Sequence, residues 1–343
     1  MDHKKIMVAM SGGVDSSVTA ALLLQKGHDV QGLTMRIWDG PVEVADDARR
    51  VAERLGIPHH LIDLRDQFRQ RVVAPFCAEY LAGKTPNPCV LCNQAFKFRV
   101  LLDRAAELGA DGLATGHYVR LWQHEGRYVL AKGRSLNKDQ SYFLFTLTQQ
   151  QLGRVCFPLG DLDKEQVRAL ACQWQLPVAA KSDSQDICFI PDGDYIRFLE
   201  QHAALKDLSG DIVHVDGRIL GRHSGIYRYT IGQRRGLGLA WPEPLFVARI
   251  DAVRRQVVVG ERCHLDVAEL TLQDCNWIIP RPSDSLRCRV RIRYRHREAE
   301  ATVTVVDEKR CRVVFDRPEQ GVTPGQAAVF YDQDRVLGGG WII

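Results

Sequence analysis

The feature that most constrains this chain is the junction Ser11-Gly12-Gly13-Val14-Asp15-Ser16-Ser17, which follows an apolar run from Lys4 to Met10 and opens a helical pattern over residues 18–25. Glycines at a strand-to-helix turn let backbone amides face inward with no Cβ in the way. A helix N-terminus adds free N–H groups and partial positive charge, so the junction welcomes an anion. Ser16 and Ser17 can offer hydroxyls to phosphate oxygens, and Asp15 a carboxylate for Mg2+ or a water. No lysine follows the glycines, which sets the loop apart from the G-x-x-x-x-G-K-[ST] loop of kinases and GTPases. The plain alternative is a serine-capped turn. The alternation continues, with strands expected over 30–38, 60–64 and 111–115 and helices over 44–55 and 94–108. Strands separated by helices of this length imply an α/β fold with a doubly wound parallel sheet.

From about Ser209 the texture changes to short Val/Ile/Tyr/Arg runs broken by Gly, Pro and Asp, without a long helical pattern. A chain of 343 residues is expected to hold two or three domains. We place them at 1–205 (nucleotide-binding, α/β), 206–270 (a small β-rich domain) and 271–343 (a β-barrel). No apolar run approaches the ~18 residues of a membrane span, and MDHKKIMVAMSGG lacks the layout of a signal peptide. Ten cysteines scattered through a long chain do not read as a secreted disulfide scaffold. A cytoplasmic protein with reduced thiols is expected.

Two cysteines lie in telling surroundings. Cys92 closes Asn87-Pro88-Cys89-Val90-Leu91-Cys92, a proline-stiffened loop just before the helix expected from Gln94. A helix N-terminus favours a thiolate, and Lys97 on the first turns could add to it, so a reactive thiolate is expected. A zinc half-site and a thioredoxin-type redox pair also fit C-x-x-C, although a second zinc-ligand pair is lacking and no metal centre is expected. Cys188, in Asp186-Ile187-Cys188-Phe189-Ile190, reads in isolation as a packed thiol on a buried strand. The remaining cysteines read as core or incidental.

The strongest charge signal is Arg287, Arg289, Arg291, Arg293, Arg295 and Arg297, at every second position. On one strand the six guanidiniums would share a face. Residues 281–317 hold eleven basic and six acidic side chains, a local excess of five against a net charge of +4 for the whole chain. Such a face suits a polyanion. The bland reading is a solvated barrel strand with its arginines paired to nearby acids.

The phosphate loop, Asn87–Asn93, Ala114-Thr115-Gly116-His117-Tyr118, Lys138-Asp139-Gln140-Ser141-Tyr142, Ser184–Ile190 and the stretch from Pro324 to Trp341 occur here in one order. Together they resemble the tRNA-specific 2-thiouridylases of the PP-loop ATP pyrophosphatases, over nearly the whole chain. The resemblance implies an adenine nucleotide alpha hydrolase-like fold. The implied reaction is ATP-dependent adenylation of the C2 oxygen of the tRNA wobble uridine, then sulfur transfer from a cysteine persulfide. Cys92 matches the nucleophile and Cys188 the persulfide carrier, with a disulfide between them at the end of the cycle. Ala9, Met10, Ser11, Gly12, Gly13, Val14, Asp15 and Ser16 match the ATP loop. Met35 and Gly116 match the adenosine pocket. Asn87, Pro88 and Cys89 match the segment near the target base, and His117, Lys138, Asp139, Gln140, Arg293, Tyr294 and Gln326 match positions that touch tRNA. Mg2+ is expected with ATP, a desulfurase or relay protein as sulfur donor, and a monomer as the working form. Two departures stand out: Cys89 where familiar members have Asp, and a short loop at Asp39-Gly40-Pro41.

Overall fold

The computed structural model describes residues 3–38, 43–182, 187–203, 205 and 207–343. The short loop at Asp39-Gly40-Pro41 and the Ser184-Gln185-Asp186 part of the second cysteine motif lie outside them.

The N-terminal region opens with β1 (Lys5–Ala9), α1 (Val14–Gln25), β2 (Asp29–Arg36), α2 (Glu43–Leu55) and β3 (His59–Asp63). Two long helices follow: α3 (residues 65–81) and α4 (residues 88–107), each with a π-helical stretch, at Arg69–Val73 and Asn93–Val100. Next come β4 (Gly112–Ala114), a hairpin of β5 (Val119–His124) and β6 (Arg127–Lys132), β7 (Val155–Cys156), α5 (Lys164–Gln173) and α6 (Tyr195–His202). The first sheet runs β3-β2-β1-β4-β7 and is parallel throughout. Its central strands are covered on both faces, with Met7, Val8, Leu33, Leu113 and Ala114 fully buried, as a parallel sheet requires. Strand order reverses between β1 and β4. In such sheets, ligands bind beyond the carboxyl ends of the strands at that switch point, where the phosphate loop and Thr115–Tyr118 both lie.

Helix α3 has no counterpart in the expected elements. Phe68, Val72, Phe76 and Tyr80 do repeat at helical spacing and are buried, but Pro75 interrupts the run. The π stretch ends just before Pro75, so the missing N–H falls where the hydrogen-bond pattern already shifts.

The second sheet, order β10-β11-β8-β9, gathers β8 (Gly210–His214), β9 (Ile219–His223), β10 (Phe246–Asp251) and β11 (Gln256–Gly260). The last region contains β12 (Asp266–Trp277), β13 (Ser285–Arg291), β14 (Ala299–Val305), β15 (Cys311–Gln320), β16 (Ala327–Asp332) and β17 (Arg335–Ile342). These six pair in the order β12-β15-β14-β13-β16-β17, and β17 pairs back onto β12 to close an antiparallel barrel. Hairpin β5–β6 leaves the N-terminal region and joins this sheet through β17. One apolar core accordingly runs from Met7 and Leu33 through Leu130, Tyr142 and Phe145 to Ala327, Val329 and Tyr331.

The six-arginine face does not form. Strand β13 ends at Arg291, and the chain turns through Arg293–Arg295. Ahead of the turn, Arg287 pairs with Asp316, Arg289 with Glu300, and Arg291 with Asp139 and Glu298. Beyond it, Arg293, Arg295 and Arg297 are exposed with no carboxylate partner among the described residues. Period two predicts one face only while the chain stays extended, and a tight turn after Ile292 ends that condition.

Candidate functional site

Ala9, at the end of β1, leads into Met10, Ser11, Gly12 and Gly13, and Val14 starts α1. Gly12 takes φ +65°, a conformation glycine adopts without strain. No side chain caps α1, so the amides of its first turn remain available to a ligand. The loop is braced from within: the Ser11 amide donates to Ser16 Oγ at 3.1 Å, and Ser16 Oγ lies 3.2 Å from the Gly13 carbonyl. Ser17 does not offer its hydroxyl to a ligand as expected. It is fully buried and donates to the Gly13 carbonyl at 2.8 Å. Thr34 Oγ1 donates to the Met10 carbonyl at 2.8 Å, fixing the strand end.

Gly116 lies against this turn. A Cβ there would sit 2.9 Å from both the Asp15 carbonyl carbon and the Ser16 nitrogen. The residue just beyond β4 and the phosphate loop therefore touch backbone to backbone, with no side chain between them. Three groups that the motif does not announce complete the cradle. Tyr118 OH donates to Asp15 Oδ1 at 2.7 Å, as does Lys164 Nζ at 2.7 Å. Lys181 Nζ donates to the Gly12 carbonyl at 3.2 Å and to Asp47 Oδ2 at 2.6 Å. Tyr118 belongs to a recognisable motif; the two lysines come from distant segments with no local signal.

The thiols assemble from two parts of the chain. Asn87 caps α4 by accepting from the Val90 amide at 3.3 Å, with Pro88 in the first turn. Cys89 is exposed, whereas Cys92, one turn on, is buried against Phe68, Phe76, Phe96, Phe189 and Ile190. Phe189 and Ile190 flank Cys188, so their burial beside Cys92 carries Cys188 with them. The three sulfurs are close enough to sense one another's charge. Burial pushes the Cys188 thiol up to about 12, with repulsion from Cys92 and Cys89 adding to it. Burial pushes Cys92 up to about 11 against a weaker pull from Lys97, and raises Cys89 against the same pull. Cys188 is exposed as a residue, yet the protein packed around its sulfur leaves the thiolate poorly hydrated. Burial therefore works against the thiolate expected at Cys92, and Lys97 works for it. Cys92 lies within a helix that continues past it, so the dipole does not offset desolvation. All ten cysteines are unpaired, and among the described residues no group of three His, Cys, Asp or Glu side chains gathers as a metal site.

Met35, near the end of β2, packs against both the central core and the Cys92 cluster.

The remaining candidate residues fall into two groups. Arg293 is exposed; Tyr294, Lys138 and Gln140 are half-buried. Tyr294 packs on Phe143, ring centroids 4.5 Å apart. Gln140 Oε1 accepts from the Tyr118 amide at 3.0 Å. His117 and Asp139 lie below the surface, 7% and 2% exposed. His117 Nδ1 is 2.7 Å from Thr115 Oγ1, and burial holds its pKa well below the usual histidine value, with Lys97 adding to the effect. Asp139 accepts from the Gly133 and Ser141 amides, from Ser141 Oγ, and from Arg291 at 3.2 Å. Arg291 also meets Glu298, which Lys132 meets at 2.7 Å. This buried network ties the Lys138–Gln140 loop to the turn after β13. Gln326 donates to the carbonyls of Thr85 and Pro86 at 2.9 and 3.4 Å, fastening a barrel turn to the segment that leads into Asn87.

Three family profiles tile the chain: "tRNA methyl transferase HUP domain" over residues 4–192, "tRNA methyl transferase PRC-barrel domain" over 196–261, and "Aminomethyltransferase beta-barrel domain" over 267–342. Curated relatives match end to end. The tRNA-specific 2-thiouridylase MnmA of Syntrophotalea carbinolica is 61% identical, covering 99% of this chain and 99% of its own. That of Geobacter metallireducens is 52% identical over 99% and 97%, and that of Geotalea uraniireducens 50% over 99% and 95%. With a glycine-rich phosphate loop at the sheet's switch point, thiols from two distant segments brought close to one another, and full-length similarity of this degree, the chain belongs to the tRNA-specific 2-thiouridylase family.

Proposed function

We propose that this protein converts the wobble uridine of tRNA to 2-thiouridine, consuming ATP and releasing AMP and pyrophosphate. The observation that carries this reading is the convergence of Cys92 and Cys188, nearly a hundred positions apart: Phe189 and Ile190, which follow Cys188, share one buried cluster with Cys92, and the two sulfurs are close enough to sense each other's charge.

Uridine's C2 oxygen is a poor leaving group. In the first step it attacks the α-phosphate of ATP; the α–β bridging bond breaks, pyrophosphate leaves, and AMP becomes the leaving group. Gly12, Gly13 and the α1 amides accept the phosphates and stabilise charge developing there. Gly116 leaves room for close backbone approach. Asp15 is the carboxylate that would help hold Mg2+, although its Oδ1 already accepts from Tyr118 and Lys164; the ion would supply positive charge to offset that of the phosphates.

In the second step a Cys188 persulfide supplies sulfur. Its terminal sulfur attacks C2 and AMP departs. Cys92 then attacks the inner sulfur of Cys188, which frees the 2-thiouridine and leaves a Cys92–Cys188 disulfide for an external dithiol to reduce. Alternatively Cys92 first frees the sulfur as hydrosulfide. A persulfide is more acidic than a thiol and suits a pocket that keeps ordinary thiols protonated. Sulfur must be delivered to Cys188 by a desulfurase or relay protein. Arg293, Arg295 and Arg297, exposed beyond β13, meet phosphates as the barrel's contribution to tRNA binding. His117 and Asp139 act from beneath that surface, and Cys89 faces the target base. A monomer suffices for every role named.

The test is incubation with tRNA, ATP and a persulfide-generating desulfurase, followed by mass spectrometry of the nucleosides and measurement of pyrophosphate. The expected result is 2-thiouridine and pyrophosphate in equal amounts. Pyrophosphate release without tRNA, or no thiolated nucleoside with it, would sink the reading.

A further inference from the structure

We infer that Lys181 is the cation that holds the β and γ phosphates of ATP and the pyrophosphate they become, an inference that rests on the ATP-dependent reading above. An ammonium has three N–H donors. Those of Lys181 reach the Gly12 carbonyl and Asp47 Oδ2, which leaves one for a ligand at the loop. Its side chain is 39% exposed, whereas Lys164 is 13% exposed and set on Asp15. The two lysines thus divide the work. Lys164, inside, neutralises the carboxylate that would otherwise repel a polyanion at the mouth of the loop. Lys181, outside, is the more exposed of the two.

Asp47 can release it. That carboxylate is 11% exposed and is also paired with Arg50, so it keeps a counter-charge when Lys181 turns away. The Gly12 carbonyl fixes where the ammonium waits: beside the loop whose amides receive the phosphates. Backbone amides bring only partial charges, and the loop itself brings no lysine. Cleavage between the α and β phosphates adds charge to the departing pyrophosphate, and a lysine beside Gly12 is positioned to meet that charge as it forms. The motif alone cannot supply this cation, and Lys181 brings an ammonium into contact with the loop's backbone.

The experiment is calorimetric titration of the full chain, without tRNA, using ATP, pyrophosphate, AMP and adenosine. K181M is expected to lose about tenfold or more in affinity for ATP and pyrophosphate while holding AMP and adenosine within about twofold, and K181R is expected to recover most of the loss. D47N removes the resting partner but keeps the ammonium, and is expected to bind ATP at least as tightly as the unaltered chain. Equal weakening toward adenosine and ATP in K181M, or ATP affinity falling as far in D47N as in K181M, would reduce Lys181 to a brace for the loop and overturn the inference. Unchanged ATP binding by K181M overturns it while leaving the ATP reading intact. Failure of the unaltered chain to bind ATP overturns both.

Discussion

The phosphate cradle and the thiol cluster are built on opposite principles. The cradle has a local frame: seven consecutive residues and one strand end, braced by hydrogen bonds within the loop, with backbone amides ready for an anion and Tyr118, Lys164 and Lys181 added from elsewhere. The thiol cluster is assembled from segments nearly a hundred positions apart, and its apolar surroundings oppose the charge that its chemistry needs. A site that binds can be finished in advance. On the reading proposed above, burial disfavours the thiolates of the other site until sulfur arrives as a more acidic persulfide.

This contrast can be broken most decisively at Cys188. Changing Cys188→Ser should abolish 2-thiouridine formation, read by nucleoside mass spectrometry, with ATP and tRNA affinities close to those of the unaltered chain; surviving product would remove Cys188 from the sulfur path. The reverse experiment is Gly116→Ala. Its new methyl meets backbone that cannot give way, so ATP affinity should fall about ten- to hundredfold, in line with ~1–3 kcal/mol for overpacking, while persulfide loading of Cys188 is unaffected. Normal ATP binding by this variant would show that Gly116 and the first turn of α1 are not in backbone contact.

The third effect is one of pH. With a value of about 11, the Cys92 thiolate at pH 7 amounts to roughly one part in ten thousand. Alkylation of Cys92 by iodoacetamide should therefore rise about tenfold per pH unit from 7 to 10; a plateau near the ordinary thiol range would contradict the desolvated pocket. Because the folded value lies above the unfolded one, the stability this thiol contributes is complete below about pH 9 and is lost as pH climbs toward 11. The smallest effect separates the two halves of the arginine run. Arg293→Ala should lower the salt slope of tRNA binding by about 1, whereas Arg287→Ala, already paired with Asp316, should leave it unchanged. Equal slopes for both variants would erase the distinction.

What could be read directly from the residues follows the same division. Parallel strands and the phosphate loop announce themselves because their signals are contiguous. The apolar setting of Cys188 is legible in Ile-Cys-Phe-Ile, but not that Phe189 and Ile190 carry it to Cys92, which is a tertiary fact. The turn at Arg293 defeats a period-two reading because nothing in alternating arginines says where extension stops. Hairpin β5–β6 carries Trp122, Gln123, His124 and Arg127 on a half-solvated edge, and its partner strand lies some two hundred positions away. Lys164 and Lys181 are ordinary surface residues until the fold brings them to the loop.

The placement of that hairpin has a consequence for the chain's history and handling. Three profiles divide the sequence tidily, yet β6 is stitched to β17, Arg120 meets Asp334, Lys132 reaches the Gln333 carbonyl, and Leu130 shares its packing with Val329 and Tyr331. Cutting after the second sheet would strip the cover from a core that the first region cannot close alone. The first and last regions are therefore bound to inherit, mutate and unfold together: the barrel is less a module appended to an ATPase than the missing wall of it.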